Sequence, residues 1–476
     1  MSKAVAKGKN TEASLICLFM KALMYLCAFL AFYLPLSVTN PQLMRVSRTS
    51  AIVIFSFLIV GYFMMRTYGG YAVGKDKSSH IVYSLVFGLW LTDAVSYFVL
   101  LMMNVNEINR STITPVSGEI PLLFAAMAAQ LILTVLFVCL GNYIYFRLVP
   151  PAETLIITSS RKSLLEVLPR VITMKRQYRI AAMADYRRSD IKELIKRESA
   201  VMFYDVPPDK RLELEEYAYK EDKAFYVASE IFDVVENAAV PVTFGDCSFL
   251  ECGQKGRLKP EQRFLKRLMD IVFSLAFMPL FLIIMLPCAA AVKLCDGGKC
   301  FYRQKRATKG GRVFEIIKLR TMREDSPDHI SLASEDDERI TSVGRFLRRY
   351  RLDELPQIFN VLKGDMSLVG PRPEIPDMID TAVQSFPEFG YRLCMKAGLT
   401  GYAQITGRYD TDSKRKALMD IYYIENYSLW WDVKILLRTI TIILRPESAK
   451  GKSEAPSGEA LALAGSYMDF AKEGSD

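Results

Sequence analysis

Four long apolar runs fill the first third of the chain, at about 13–36, 51–65, 80–103 and 120–146. A helix that crosses a bilayer needs about 17–25 such residues, and the second run is the shortest of the four. Basic residues sort by loop. Lys3, Lys7 and Lys9 precede the first run, Arg66, Lys75 and Lys77 follow the second, and Arg147, Arg161 and Lys162 follow the fourth. The other loops carry only Arg45, Arg48 and Arg110. The positive-inside rule then gives an N-terminal four-helix transmembrane bundle, residues 1–149, with both ends in the cytoplasm. Asp93 and Lys21 lie inside apolar runs. An intramembrane charge is either functional or half of an interhelical polar contact, and both readings stand. The first run is too long for a cleavable signal and has no small-residue cleavage site.

From 150 to 261 the pattern changes. Strand-like bursts ("TLIIT", "YRIAAMA", "AVMFYDV", "KAFYVA") alternate with charged helical stretches. That rhythm predicts a small α/β domain, Rossmann- or flavodoxin-like, with a parallel sheet in the cytosol. No G-x-G-x-x-G follows its first strand; the turn reads "TSSRKS", where Ser159 and Ser160 serve either as a plain helix cap or as an anion cradle. A dinucleotide is not expected there.

A fifth apolar run, 271–292, contains Pro279 and Pro287. Each proline removes a backbone donor and favours a kink. Arg263, Lys266 and Arg267 precede the run, and Lys293, Lys299, Arg303, Lys305 and Arg306 follow it. Positive charge on both flanks predicts a re-entrant membrane helix, broken at one of the two prolines, that returns to the side it came from. An ordinary fifth span is the competing reading. The segment 262–447 then forms a globular domain around this insert, and 448–476, rich in Ser, Gly, Glu and Lys, reads as a flexible tail.

Composition narrows the chemistry. Hydrophobic residues make up 51% of the chain, and 61 basic against 52 acidic residues give a net charge of +9. Excess base points to anionic partners. The nine cysteines have no metal-ligand spacing, and two histidines, His80 and His329, argue against a zinc hydrolase or a Ser-His-Asp triad.

The stretch "RLDELPQIFNVLKGDMSLVGPRPE", Arg351 to Glu374, pairs two carboxylates with a guanidinium held between prolines. A helix start is expected at Asp353, with the acid as N-cap and Pro356 in the first turn. The helix dipole favours its ionised form. An ionised carboxylate can attack phosphorus or bind Mg²⁺, and Glu354 can supply a second oxygen. A simple cap with a solvated neighbour is the plainer reading. The surroundings add Arg345, Arg348, Arg349 and Arg351 just before the acids, Lys318 and Arg320 in "FEIIKLRTM", and Arg372 in "GPRP". Pro373 keeps Arg372 extended, which reduces the entropy lost when a planar fork docks on phosphate. Alternation places Lys318 and Arg320 on one strand face and Leu319 opposite. Together these residues describe a site for a multiply charged phosphate and a divalent metal beside a membrane insert. "YSLWWDVKILLRTITIIL" reads equally as an interfacial segment or a core helix.

The motifs "KRLMDIVFSLAF", "FYRQKR", "FEIIKLRTM", "LDELPQIFNVLKGDMSLVGPRPE", "GLTGYAQITGR" and "DIYYIENYSLWWDVKIL" occur in one order between about 263 and 444. In this, the chain resembles the bacterial sugar transferase family, the monotopic polyprenyl-phosphate phosphoglycosyl transferases. The N-terminal helices and α/β domain resemble its long-form members, which start exopolysaccharide, capsule or O-antigen units. The resemblance implies transfer of a sugar-1-phosphate from a UDP-sugar, glucose or galactose first, to undecaprenyl phosphate. Asp353 would be the nucleophile, Glu354 its metal-binding or orienting partner, and Lys318, Arg320 and Arg372 the phosphate holders. Mg²⁺ would bind at Asp353 and Glu354. In "GYAQITGRY", Gln404, Arg408 and Tyr409 are candidates for the nucleotide or sugar pocket, and a turn between strands explains the glycines equally. The implied partners are a UDP-sugar, undecaprenyl phosphate and membrane lipid, not nucleic acid. The implied place is the bacterial inner membrane, with catalysis on the cytoplasmic face. A homodimer fits the long form, though no residue establishes it. Two departures from the family pattern stand out: "KAGLTG", with Lys396 and Ala397, replaces Arg-Pro-Gly, and the prolines of the fifth run flank its middle. A non-catalytic scaffold or sensor, or a transporter, are the alternatives; a scaffold has no need of the acid pair, and the four-helix segment has few polar residues for transport.

Overall fold

The structure is a computed structural model that describes residues 3–107, 118–252, 258–323, 339–407, 412–443 and 458–467. It divides into two compact units, Met1–Ala228 with Glu454–Asp476, and Ser229–Ser453.

The first unit opens with four long helices, α1 (Lys3–Thr39), α2 (Arg48–Thr67), α3 (Ser78–Glu107) and α4 (Glu119–Leu148), one for each apolar run. α1 packs on α4, α2 on α3, and α3 on α4. Phe32, Leu36, Phe57, Leu89 and Leu100 are buried in one seam, and Met24, Leu85 and Val138 in another. Phe19, Phe55, Ile132 and Leu136 lie exposed on the outside of the same helices. Apolar side chains on every face are the mark of a helix whose outer surroundings are also apolar. Of the two readings of Asp93, the interhelical contact is present: the Gln130 side-chain amide of α4 donates to Asp93 Oδ1 of α3 at 3.0 Å and to the Ala28 carbonyl of α1 at 3.1 Å. Lys21 is exposed on α1.

The same unit contains a four-stranded, all-parallel sheet of order β2-β1-β3-β4. Its elements are β1 (Ala152–Thr158), α5 (Arg161–Ile172), β2 (Tyr178–Asp185), α6 (Ile191–Arg197), β3 (Ala200–Tyr204), α7 (Pro208–Lys220) and β4 (Ala224–Val227). The four strand-like bursts of the sequence are these four strands. Leu155 and Ile157 of β1 face one core with Ala184, Ile195, Val201 and Phe203, and Ile156 faces another with Leu164, Leu168 and Met183. Burial on both faces is what a parallel sheet needs. Ser160 caps α5, accepting from the Ser163 amide, and the Ser159 and Ser163 hydroxyls donate to Asp205. The protein's own carboxylate thus occupies this helix start, in line with the plain cap.

The unit that carries the sheet ends at Ala228, earlier than the expected boundary at 261. The reason is α8 (Ile231–Asn237), whose Ile231 and Val234 bury against Ile421 in the second unit. There follow an antiparallel hairpin, β5 (Val240–Phe244) with β6 (Cys247–Glu251), and then α9 (Pro260–Asp296). α9 is a single helix of 37 residues that continues through Pro279 and Pro287, where a break was expected. It is the fifth described helix long and apolar enough to cross a membrane, after α1 to α4.

The rest of this unit is built on two small sheets. β7 (Phe301–Ala307) pairs antiparallel with β8 (Val313–Leu319). Next come α10 (Ser342–Arg349), a 3-10 stretch over Leu352–Gln357, α11 (Ile358–Lys363) and β9 (Ser367–Val369). α12 (Pro376–Ser385) leads into a second 3-10 stretch, Pro387–Cys394, and β10 (Gly398–Thr400), which runs parallel to β9. α13 (Tyr402–Thr406), α14 (Ser413–Glu425) and α15 (Leu429–Ile443) close the unit. Asp432 and Ile435 of α15 are buried while Trp430 and Ile440 are exposed, so the segment is core on one face only.

The polar start of α9 grips the centre of this unit. Lys266 Nζ donates to the Val369 carbonyl of β9 at 2.9 Å and meets Asp432 Oδ2 at 2.6 Å, with both side chains buried. Arg267 donates to the Val361 and Leu362 carbonyls at the end of α11, and Asp270 accepts from Ser367 Oγ and the Leu368 amide. Removing one partner of such a pair leaves an uncompensated charge. Asp432→Ala is therefore expected to cost about 3–5 kcal/mol. A fall in Tm that Lys266→Met largely reverses checks it; a Tm unchanged in Asp432→Ala contradicts it.

α16 (Gly458–Ala464) belongs to the first unit, where Ala464 and Tyr467 bury against Leu164, Leu168 and Val171. Within the stretch expected to be a flexible tail, the described residues thus form a docked helix, because its few apolar residues find a face of α5.

Candidate active site

The acid pair sits in a 3-10 turn. Arg351, just before it, takes the left-handed conformation, with φ 54° and ψ 25°. This conformation strains any residue with a Cβ and is found where surrounding structure enforces it. It turns the chain between α10 and the acids, so Asp353 is the second residue of the 3-10 turn. The expected N-cap is Arg351 instead, and no side-chain cap bond forms there.

Glu354 is the hub. Its Oε1 accepts from Arg372 Nη2 at 3.0 Å and lies 3.4 Å from Lys318 Nζ. The Glu354 and Lys318 side chains are 13% and 17% exposed, and Arg372 is 40% exposed. Asp353 has no hydrogen bond or ion pair among the described residues. Burial pushes the Glu354 carboxyl up, but Arg372, Lys318 and Arg351 together outweigh it and hold the group well below the usual carboxylate range. Burial raises the Asp353 carboxyl, and the charge of Glu354 raises it further against the pull of Lys318, Arg348 and Arg372. Desolvation lowers the Lys318 ammonium, and Glu354 raises the Arg372 guanidinium. Two neighbouring carboxyls pushed in opposite directions are suited to different tasks. Glu354 is a fixed anion that holds two cations, and Asp353 is the acid free to bond to something else.

Each partner is held by a separate element. β8 presents Lys318. Asn360 of α11 ties that strand to the acid turn, its amide donating to the Glu315 carbonyl at 2.7 Å and its Oδ1 accepting from the Ile317 amide at 3.1 Å. Arg372 rides on the loop after β9. Gly370 opens that loop because a Cβ there would stand 2.3 Å from the Lys396 carbonyl. The Gly370 amide donates to the Thr400 carbonyl, and the Gly398 amide to that of Pro371.

Of the residues expected from sequence, the structure brings together Asp353, Glu354, Lys318 and Arg372. Arg320 lies one residue past β8, buried, and its amide donates to the Cys300 carbonyl; the cations acting most on the acid pair do not include it. Gln404 in α13 donates to the Leu399 carbonyl at 3.3 Å, with no described contact to the acid pair. Arg408 and Tyr409 lie outside the described residues. Sequence reasoning did not single out Asn360, Asp270, Asp432 or Arg392 as supports of the site. A signal existed for two of them: Asp270 and Asp432 are acids set within apolar runs, and charges so placed are rarely buried unless paired.

The two carboxylates also suit a divalent metal. Glu354 Oε2 and both Asp353 oxygens have no described partner, and Mg²⁺ takes one or two carboxylates plus water and phosphate oxygens.

Residues 261–446 match the family model described as bacterial sugar transferase. The matched stretch spans α9, the acid pair and the Arg372 loop. A UDP-glucose:undecaprenyl-phosphate glucose-1-phosphate transferase from Caulobacter vibrioides is 44% identical over 191 residues, covering 39% of this chain and 71% of that protein. The chain belongs to the bacterial sugar transferase family. A second bacterial sugar transferase relative is a UDP-N-acetylgalactosamine-undecaprenyl-phosphate N-acetylgalactosaminephosphotransferase from Aeromonas hydrophila, 44% identical over 197 residues, 40% of this chain and 47% of that protein. A third, an undecaprenyl-phosphate galactose phosphotransferase from Salmonella typhimurium, is 38% identical over 212 residues, 41% of this chain and 44% of that protein. The alignments thus span about half the length of two of these bacterial sugar transferases.

Proposed function

We propose that the protein transfers a hexose-1-phosphate from a UDP-sugar to undecaprenyl phosphate and releases UMP, as the first membrane step of exopolysaccharide, capsule or O-antigen synthesis. The observation that carries this reading is the division of labour in the acid pair: Glu354 binds two cations, and Asp353 beside it has no described partner. In the first step an Asp353 carboxylate oxygen bonds to the β-phosphorus. The bond from that phosphorus to the bridging oxygen breaks, and UMP leaves with the electron pair. In the second step an oxygen of undecaprenyl phosphate attacks the same phosphorus, and Asp353 leaves as a free carboxylate. Phosphoryl transfer depends mostly on positioning and charge neutralisation. Arg372 is partly exposed and keeps donors beyond the one given to Glu354, so it can take phosphate oxygens as they arrive. Lys318 adds a second cation at the same hub, and Arg320 is assigned a further phosphate-holding role. Mg²⁺ at Asp353 and Glu354 would neutralise the diphosphate.

The same reading puts the protein in the bacterial inner membrane, with α1 to α4 as a spanning bundle and the site at the cytoplasmic face. There a lipid phosphate and a soluble nucleotide can meet. α9 then enters the inner leaflet and returns, with Pro279 or Pro287 marking the bend. Glucose and galactose are the first candidates for the sugar, and Gln404, Arg408 and Tyr409 for its pocket. The test is release of UMP and transfer of radiolabel to undecaprenyl phosphate across a panel of UDP-hexoses. Transfer with one of them, lost on chelation and restored by Mg²⁺, is expected. No transfer with any UDP-hexose contradicts the reading.

Asp353 must be ionised to attack. A carboxyl raised above its ordinary value of about 3.9 is protonated, and so silent, over a wider acid range. The rate of UMP release is therefore expected to fall on acidification at a higher pH than an ordinary carboxyl would give. A profile that falls only where an ordinary carboxyl titrates contradicts this assignment.

A further inference from the structure

Arg392 does not touch the acid pair, yet it holds the backbone that carries Arg372. Its Nη2 donates to the Arg372 carbonyl at 2.9 Å and lies 2.6 Å from Asp420 Oδ2 of α14. Its Nη1 lies 3.7 Å from Glu374 Oε1. The Arg392 and Asp420 side chains are 3% and 1% exposed, and Phe389 lies under the guanidinium, 4.7 Å from ring centre to Cζ. From the other side Arg306 of β7 donates to the Pro373 carbonyl at 3.2 Å and lies 3.5 Å from Glu374. A buried arginine, Arg392, and a half-buried one, Arg306, therefore hold consecutive carbonyls of one loop from separate elements, and that loop presents the guanidinium that meets Glu354.

A buried Arg-Asp pair is a weak source of stability, since apolar residues of similar volume often serve as well. Its geometry points to another use. Pro373 restricts the Arg372 backbone but does not anchor the loop to the domain. The Arg392 contact does so at the carbonyl of the residue that matters. We propose that Arg392, seated on Asp420, is a positioning residue that fixes the Arg372 guanidinium in register with the acid pair for the transferred phosphate. The inference rests on the sugar-phosphate transfer reading, which gives Arg372 its phosphate role. A misplacement of about 1 Å at such a group can cost about 10²-fold in rate.

The test replaces the pair together, Arg392→Met with Asp420→Leu, so that no buried charge is left alone. The double variant is expected to keep its Tm within a few degrees while UMP release falls about 10²-fold. Made in an Arg372→Ala background, the same change is expected to cost less than about 3-fold, because the group it positions is gone. A folded double variant with wild-type turnover, or one whose loss is as large without Arg372, overturns the proposal. Should the double variant not fold, Arg392→Lys decides. It keeps a charge against Asp420 but not the fork, and an unchanged turnover overturns the proposal while a fall of about 10-fold at wild-type Tm supports it. If the wild type releases no UMP from any UDP-hexose, the transfer reading has failed. Arg392 is then judged by calorimetric binding of inorganic diphosphate, expected about 10-fold weaker in the double variant only where Arg372 is present; equal binding overturns it.

Discussion

Asp353→Asn is expected to lower UMP release by about 10⁴-fold or more while leaving thermal unfolding within a few degrees of wild type. Losing a covalent nucleophile removes the reaction path itself, and such losses are of this size or larger. The structure says why the fold should tolerate the change. Asp353 has no hydrogen bond or ion pair among the described residues, and its carboxyl is already pushed up by burial and by Glu354. An amide of the same shape removes a charge that the fold does not use. Steady-state UMP release and a melting curve on the same preparation check both halves. Activity within about 10-fold of wild type would mean that Asp353 is not the nucleophile.

Arg372→Ala carries the second large effect, about 10²–10³-fold in turnover, on the scale of removing one preorganised charge-stabilising donor. Glu354 would keep Lys318 at 3.4 Å, so the acid hub stays partly neutralised and the loss falls on the phosphate. Arg372→Lys separates charge from shape: a lysine restores the charge without the planar fork and is expected to recover about one order of magnitude. Equal activity in the alanine and lysine variants would show that charge at this position does not matter. Full activity in the lysine variant would show that the fork does not.

Much of this was legible in the chain. Apolar runs of bilayer length located α1 to α4 and α9, and alternating bursts located the four strands of the parallel sheet, because both signals are periodic and local. The acids and cations of the site could be named because short motifs keep them close in sequence or bracket them with prolines. What pairs with what was not legible. Lys318 and Glu354 are 36 residues apart, and Lys266 and Asp432 are 166 apart. Such contacts depend on how β8, β9 and α15 pack, which no window of residues encodes. The left-handed turn at Arg351 also escaped, since nothing about arginine predicts a positive φ; only the packing on both sides enforces it. The expected N-cap at Asp353 failed for that reason. The early boundary at Ala228 escaped because α8 has an ordinary amphipathic sequence and only its partner Ile421 reveals where it belongs.

The covalent step can be observed directly. Purified protein held with a UDP-hexose and Mg²⁺, without lipid acceptor, would be quenched in acid and its peptides weighed. A hexose-phosphate adduct on the peptide that contains Asp353, absent from Asp353→Asn and discharged when undecaprenyl phosphate is added, is the predicted result. UMP release with no adduct at any residue, or an adduct that survives in Asp353→Asn, would contradict it.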